Sequence, residues 1–175
     1  MKEKGLIHVN CGDGQGKTTA ALGLAIRFAG RGGKVLYYQF LKDGSSGEIS
    51  MIKNLEGITY LEGYALSKFT FLMTPEEKEA ARAYYTKHFS NLVEEAKKSY
   101  QLLVLDEVLD AVNEDLLPLK DLITFLNNKP EDLEVVLTGR NPKEEILSLA
   151  DYVTEMKKCK HPFDQGLAAR EGIEY

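Results

Sequence analysis

The chain has 175 residues, of which 43% are hydrophobic and 28% are charged, and its formal net charge at pH 7 is −5. This composition predicts one soluble globular domain over residues 1–175 and excludes a largely disordered or collagen-like chain. No run of about 18 uncharged apolar residues occurs and no apolar leader opens the chain, so we expect a cytoplasmic protein with no membrane span. The acidic balance argues against nucleic acid as a partner.

Strand-like and helix-like segments alternate along the chain. Short apolar runs rich in β-branched residues predict strands, and segments with apolar residues at helical spacing predict helices between them. The third predicted helix has the clearest start, because Thr74 and Glu77 form a capping box around Pro75. In the first helix, Ala20, Leu24 and Phe28 are expected to lie on one apolar face. The predicted strands are 5–10, 34–40, 58–61, 102–106, 133–138 and 152–156; the predicted helices are 17–30, from 74 onward, 117–127 and 142–149.

A glycine-rich segment between the first strand and the first helix is the strongest local signal. It reads Gly12-Asp13-Gly14-Gln15-Gly16-Lys17-Thr18-Thr19. The glycines let backbone N–H groups turn inward around phosphate oxygens, and the following helix N-terminus adds partial positive charge. Lys17 can reach the terminal phosphates and the Thr18 hydroxyl can bind Mg²⁺. Asp13 must either point away from the anion or accept a backbone N–H. The segment therefore predicts a phosphate-binding loop.

An acidic pair supplies the second half of such a site. A phosphate loop works with an acidic residue at the tip of a neighbouring strand, and Asp106-Glu107 ends the buried run at 102–105. We expect Thr18 and Glu107 to hold Mg²⁺ (or Mn²⁺), with Asp106 as the alternative ligand; an ordinary exposed strand end is the competing interpretation. The fold expected is α/β, a three-layer P-loop NTPase (RecA-like) fold with a mainly parallel central sheet.

Taken together, several segments resemble the P-loop ATP:corrinoid adenosyltransferases, also called cob(I)alamin adenosyltransferases. The phosphate loop is similar to the short form of that family, which lacks a further glycine where this chain has Cys11. The other segments follow in the family's order over nearly the whole chain. They are residues 38–42, 105–107, 138–140, 150–156, 160–163 and 166–175.

The resemblance implies a reaction and its participants. In this family a Co(I) corrinoid attacks the 5′ carbon of ATP and expels inorganic triphosphate. The loop, Lys17 and a metal would neutralise that leaving group, with Arg27 or Arg140 as additional cations. Phe69 and Phe71 match a Phe-Thr-Trp segment that crowds the lower face of the corrin, with phenylalanine here in place of tryptophan. Gln15 stands where the family commonly has lysine.

The family also suggests partners, and two rivals remain open. Its members are commonly dimeric, so we expect a homodimer, and an electron-donor protein such as a flavodoxin or flavin reductase would supply reduced cobalt. A P-loop nucleoside or small-molecule kinase is the first rival, and it would leave ADP rather than triphosphate. A RecA-like ATPase or nucleotide switch is the second, and it would require a basic groove that the charge balance does not favour.

Overall fold

The computed structural model describes residues 4–42, 44–64 and 70–173. Short 3₁₀ turns lie at Thr70–Leu72 and Pro162–Gln165. The strands and helices, in chain order, are β1 (Ile7–Cys11), α1 (Lys17–Ala29), β2 (Val35–Gln39), α2 (Gly47–Ile52), β3 (Ile58–Leu61), α3 (Pro75–Ser99), β4 (Leu102–Asp106), α4 (Val108–Asn113), α5 (Leu119–Asn128), β5 (Glu134–Thr138), α6 (Glu144–Leu147) and β6 (Tyr152–Glu155).

The strands form one sheet in the order β3-β2-β4-β5-β1-β6, and every neighbouring pair is parallel. The expected α/β fold is therefore confirmed, with a sheet that is parallel throughout its described strands. One expectation about this sheet is wrong: β4, which carries the acidic pair, does not neighbour β1, because β5 lies between them. All strands point the same way, so their carboxyl ends gather at one edge.

Helices cover both faces of the sheet and give three layers. The alternation of side chains along β2 shows this directly: Val35 and Tyr37 pack in a cluster with α1 and α2, whereas Leu36 and Tyr38 pack in a cluster with α3 to α6. All four side chains are fully buried. Burial of each strand on both faces explains why the strands read as continuous apolar runs in the sequence.

The starts and faces of two helices bear on the sequence predictions. The capping box of α3 is confirmed, since the Glu77 N–H donates to Thr74 Oγ1 at 3.3 Å and the Thr74 N–H donates to the Glu77 carboxylate at 2.7 Å. The predicted apolar face of α1 is confirmed in part: Leu24 and Phe28 pack against the core, whereas Ala20 is exposed. The fully buried residues of this face are Ala21 and Ala25. Two alanines on that face let the helix lie close to the sheet. In the described part of the chain, no helix combines the length and apolarity needed to cross a bilayer.

Candidate active site

The phosphate loop connects β1 to α1 and rests on the end of β6. Gly12 and Gly16 adopt φ angles of +105° and +115°, which favour glycine. A Cβ on Gly12 would also lie 2.4 Å from the carbonyl oxygen of Met156, which is closer than atoms can approach. The N–H of Gly14 donates to that same oxygen at 2.7 Å. The loop is thus shaped both by its glycines and by the residue that follows β6.

Asp13 satisfies the requirement that the sequence set for it. Its Oδ1 accepts a hydrogen bond from the backbone N–H of Lys158 at 3.0 Å. This hydrogen bond holds the pKa of Asp13 below its ordinary value. The acidic side chain is therefore engaged with the segment after β6 instead of opposing an anion in the loop. Gln15, two residues further along the loop, is exposed.

The N-terminus of α1 is open for an anion. Gly16 precedes the helix, no side chain of the described residues caps it, and its first turn carries no acidic residue. Lys17 begins the helix and is only 9% exposed, with its Nζ donating to the carbonyl oxygen of Gly14 at 2.9 Å. Thr19 lies exposed in the same turn. Uncapped N–H groups and a lysine held inside the loop form the arrangement that binds phosphate.

A fully buried carboxylate lies beside this helix start. Asp106 ends β4 with an exposed fraction of 0%. Its Oδ1 accepts from the hydroxyls of Thr18 at 2.9 Å and Thr138 at 2.6 Å. Its Oδ2 accepts from Gln39 Nε2 and Lys42 Nζ, both at 3.1 Å. We call these five residues the carboxylate cluster. One cation and several neutral donors compensate the burial of the charge.

Thr138 lies between Asp106 at the end of β4 and Thr18 at the start of α1, which follows β1. It ends β5, the strand between β1 and β4, and its hydroxyl also accepts a hydrogen bond from the Glu107 N–H at 2.9 Å. A small hydroxyl side chain at this tip leaves room for Thr18 to reach Asp106 above it. In the sequence, Thr138 stands out only as part of a family-like segment. The signal that could have identified it is a polar residue ending an otherwise apolar buried strand.

Lys42 and Gln39 were likewise not predicted as site residues. Gln39 Nε2 also donates to Glu48 Oε1 at 3.0 Å, whereas its own side-chain oxygen is buried and has no partner among the described residues. Burial alone would lower the pKa of Lys42, but the carboxylates of Asp106, Glu107 and Glu48 outweigh burial and raise it above its ordinary value. Lys42 is therefore a positively charged member of the site.

Glu107 occupies a different position from Asp106. It precedes α4 with a φ of +61°, a left-handed conformation uncommon for a residue other than glycine. Burial, followed by the neighbouring charges of Asp106 and Asp110, raises the pKa of Glu107 to about 7. Thr18 donates a hydrogen bond to Asp106 directly, whereas the carboxyl of Glu107 interacts with Asp110 of α4.

The residues present fit a magnesium ion bound together with phosphates. Within the described ranges, no group of three or more His, Cys, Asp or Glu side chains forms a cage for a metal. Mg²⁺ is usually held by one or two carboxylates together with substrate phosphates and water, and not by an all-protein cage. Thr18 and the carboxylates of Asp106 and Glu107 provide such an open donor set. The unpartnered oxygen of Gln39 could accept a hydrogen bond from water on the ion.

The structure does not bring every predicted residue to this site. Arg27 lies exposed in the last turn of α1, about 15 Å along the helix from Lys17, and is therefore not placed to contact phosphates in the loop. Arg140 follows β5 at the correct edge, where its N–H donates to Asp110 Oδ2 at 2.9 Å and its side chain is exposed. Phe69 lies outside the described residues. Phe71 belongs to the turn Thr70–Leu72 that precedes α3.

An aromatic cluster lies between α3 and the end of β2. Tyr38, Phe40 and Tyr85 are buried, and Tyr64 and Tyr84 pack against them with ring centroids 4.8 Å apart. The Tyr85 hydroxyl accepts from the Leu41 N–H at 3.1 Å and so ties α3 to the segment that carries Lys42. An apolar, aromatic floor therefore adjoins the carboxylate cluster.

Comparison with solved structures supports the fold. A KaiC-like protein from Pyrococcus horikoshii aligns with 98% of this chain and 76% of its own, with a TM-score of 0.52 and 15% sequence identity. At that identity the likeness concerns the fold alone, which is a parallel α/β sheet of the RecA type with a phosphate loop.

Comparison with curated proteins and family models gives the assignment. A corrinoid adenosyltransferase of Escherichia coli K12 is 37% identical over 99% of this chain and 87% of its own length. The corrinoid adenosyltransferase CobA of Salmonella typhimurium is 36% identical over 100% and 88%. The model of the family described as ATP:corrinoid adenosyltransferase BtuR/CobO/CobP matches residues 3–175. The chain therefore belongs to the ATP:corrinoid adenosyltransferase family, a family of enzymes.

Proposed function

We propose that this protein transfers the 5′-deoxyadenosyl group of ATP to the Co(I) centre of a corrinoid and releases inorganic triphosphate. The observation that carries the proposal is the hydrogen bond between Thr18 of the phosphate loop and the buried Asp106, in a chain whose residues 3–175 match the family. In the reaction, the cobalt electron pair forms a bond to the 5′ carbon. The carbon–oxygen bond breaks, and its electron pair stays on the departing triphosphate.

The loop residues act on the leaving group. The N–H groups at the start of α1 and the ammonium of Lys17 face the phosphate chain, so they stabilise charge that grows when the carbon–oxygen bond breaks. The glycines at positions 12, 14 and 16 allow the close approach, and Thr19 and Gln15 lie at the rim. Each preorganised donor of this kind typically contributes about 2.7–4 kcal/mol in the transition state.

Thr18 and the carboxylates of Asp106 and Glu107 would hold the metal cofactor. When bound, Mg²⁺ (or Mn²⁺) would add positive charge beside the leaving phosphates. The protein's own contribution is to fix these oxygens. Thr138 and Gln39 keep the Asp106 carboxylate oriented by donating to its two oxygens at 2.6 and 3.1 Å.

The reaction requires no general base, and the histidines agree with that. Reduced cobalt is already a strong nucleophile. The chain has three histidines. His8 pairs with Glu134, His88 packs between Tyr38 and Tyr84, and His161 accepts from the Phe163 N–H. None of these contacts involves the phosphate loop or the carboxylate cluster.

The aromatic floor supports an apolar corrinoid face. Reducing cobalt requires loss of its axial ligand and exclusion of water. The family resemblance assigns Phe69 and Phe71 to the lower face of the corrin, and Phe71 lies in the turn that enters α3. Tyr84 and Tyr85 lie farther along α3, the helix that this turn enters.

The reaction's requirements and the family suggest the remaining partners. Formation of Co(I) needs an electron donor, for which a flavodoxin or flavin reductase fits. A homodimer in the cytoplasm is proposed on the same resemblance. Tyr152 and Val153 of the edge strand β6 are 53% and 52% exposed, which leaves apolar surface for a second copy.

The decisive experiment incubates the protein anaerobically with Mg-ATP and chemically reduced cobalamin. We expect a visible spectrum that changes to that of a light-sensitive alkylcobalamin, with one triphosphate formed per product. Lys17→Ala should lose this activity, whereas Lys98→Ala, at the opposite edge of the sheet, should retain it. Formation of ADP without a light-sensitive product would refute adenosyl transfer and favour the kinase.

A further inference from the structure

Lys42 is a cation of the carboxylate cluster to which neither the phosphate-loop motif nor the acidic pair assigns a role. Its Nζ lies 3.1 Å from Asp106 Oδ2 and 3.9 Å from Glu48 Oε1. Its side chain is 26% exposed, whereas that of Asp106 is fully buried. The lysine thus reaches from the solvent side into the carboxylate on which the metal site depends.

The backbone before Lys42 is held in a strained shape. Leu41 adopts a φ of +57°, which is uncommon for a leucine, and the Tyr85 hydroxyl accepts from its N–H at 3.1 Å. Such strain persists only where the surrounding structure enforces it, and it clusters at functional sites. Here the turn that follows β2 brings the side chain of Lys42 back over the sheet edge to Asp106.

Lys42 and Thr18, which is expected to bind the metal, donate to the same oxygen of Asp106. Asp106 Oδ2 accepts from Lys42 Nζ at 3.1 Å and from Thr18 Oγ1 at 3.2 Å. A metal bound to Thr18 and this carboxylate would meet the ammonium at short range and repel it. The long, flexible lysine side chain can move by rotation about its bonds, and the phosphate chain beside Thr18 offers it a new negative partner.

We propose that Lys42 is a positioning cation with two partners: it neutralises Asp106 in the nucleotide-free protein and transfers to the phosphate chain when the metal and nucleotide bind. This inference rests on the proposed nucleotide site. In the second position Lys42 stabilises triphosphate, whose charge is more negative by one unit after the carbon–oxygen bond breaks. It takes the role for which the distant Arg27 is not placed.

Two binding measurements on the full chain test this without turnover. In Lys42→Met, removal of the competing cation should tighten binding of Mn²⁺ alone by about tenfold, read from the free Mn²⁺ resonance signal. In the same variant, inorganic triphosphate with Mg²⁺ should bind about ten- to a hundredfold more weakly by calorimetry. Lys42→Arg should bind both Mn²⁺ and triphosphate within a few-fold of the wild-type affinities. Lys98→Met, which loses only its surface ion pair with Glu95, should have the wild-type affinities.

The opposite signs of the two effects distinguish this role from a merely structural one. If Lys42→Met weakens both ligands, Lys42 is a fixed support of Asp106 and the proposal is wrong; unchanged triphosphate binding also overturns it. Lys42→Gln, which keeps a donor without charge, repeats the test should the Met variant unfold. If the wild type makes no alkylcobalamin while Lys42→Met still tightens Mn²⁺ binding and weakens triphosphate binding, the proposed function alone is refuted.

Discussion

Thr138 is the residue whose removal tests the architecture of the site most directly. It is fully buried at the tip of β5, donates to Asp106 at 2.6 Å and accepts from the Glu107 N–H at 2.9 Å. Thr138→Val keeps the shape of the side chain and replaces the hydroxyl with a methyl group. The change therefore deletes two hydrogen bonds and almost no volume.

The expected loss follows from those two bonds. A hydrogen bond to a charged group contributes about 1.5–3 kcal/mol, and the partly buried Glu107 N–H left without a partner adds about 1 kcal/mol, the low end of the cost for a buried group. The free energy of unfolding should therefore fall by about 2.5–4 kcal/mol. Since a domain has only about 5–15 kcal/mol in total, the variant should be visibly destabilised.

Urea unfolding of the nucleotide-free protein, followed by circular dichroism, measures this change. Thr138→Ser is the matched control, because it keeps the hydroxyl and loses only a methyl group. It should cost less than about 1.5 kcal/mol. If Thr138→Val lies within about 1 kcal/mol of wild type, the hydroxyl does not bridge Asp106 and Glu107 and the described site geometry is incorrect.

Three further changes probe charge, protonation and the corrinoid face. Lys17→Ala should reduce turnover by about 10²–10³-fold because a preorganised cation for the triphosphate is lost, and near-normal turnover would refute the phosphate-loop assignment. Glu107→Gln should gain stability relative to wild type as the pH rises from 4.5 to about 7, because glutamine avoids ionising a buried carboxyl beside Asp106. Parallel urea-unfolding stabilities across that range would contradict the raised pKa. Phe71→Ala should slow product formation by about tenfold when cobalt starts as Co(II), and less with pre-reduced Co(I), in a spectrophotometric assay. Equal losses would remove the axial-ligand role.

The parts of the site that the sequence predicts are those encoded by neighbouring residues. The phosphate loop, the capping box and the apolar strands each depend on short-range chemistry, so their residue types reveal them. The need of Asp13 for a backbone donor could also be stated in advance, because an acidic side chain beside an anion is costly. Its partner, Lys158, could not be predicted, because it lies 145 residues away in the sequence.

The parts that the sequence did not predict depend on strand order. Asp106 and Thr18 meet across β5, and only the fold shows that Thr138 fills that position. Lys42 pairs with a carboxylate 64 residues away, which periodicity cannot reveal. Arg27 shows the converse: it lies in the same helix as the loop lysine, yet the length of α1 carries it away from the loop.

The contact between the phosphate loop and the end of β6 has a consequence for synthesis of the protein. The partners of Gly14 and Asp13 are Met156 and Lys158, and the second pair is separated by 145 residues. At about 5–20 residues per second, a ribosome needs roughly 7–30 s between making the two ends of that contact. During this interval the nascent chain carries the whole glycine motif without the strand that shapes it, so competence to hold nucleotide should appear late in translation.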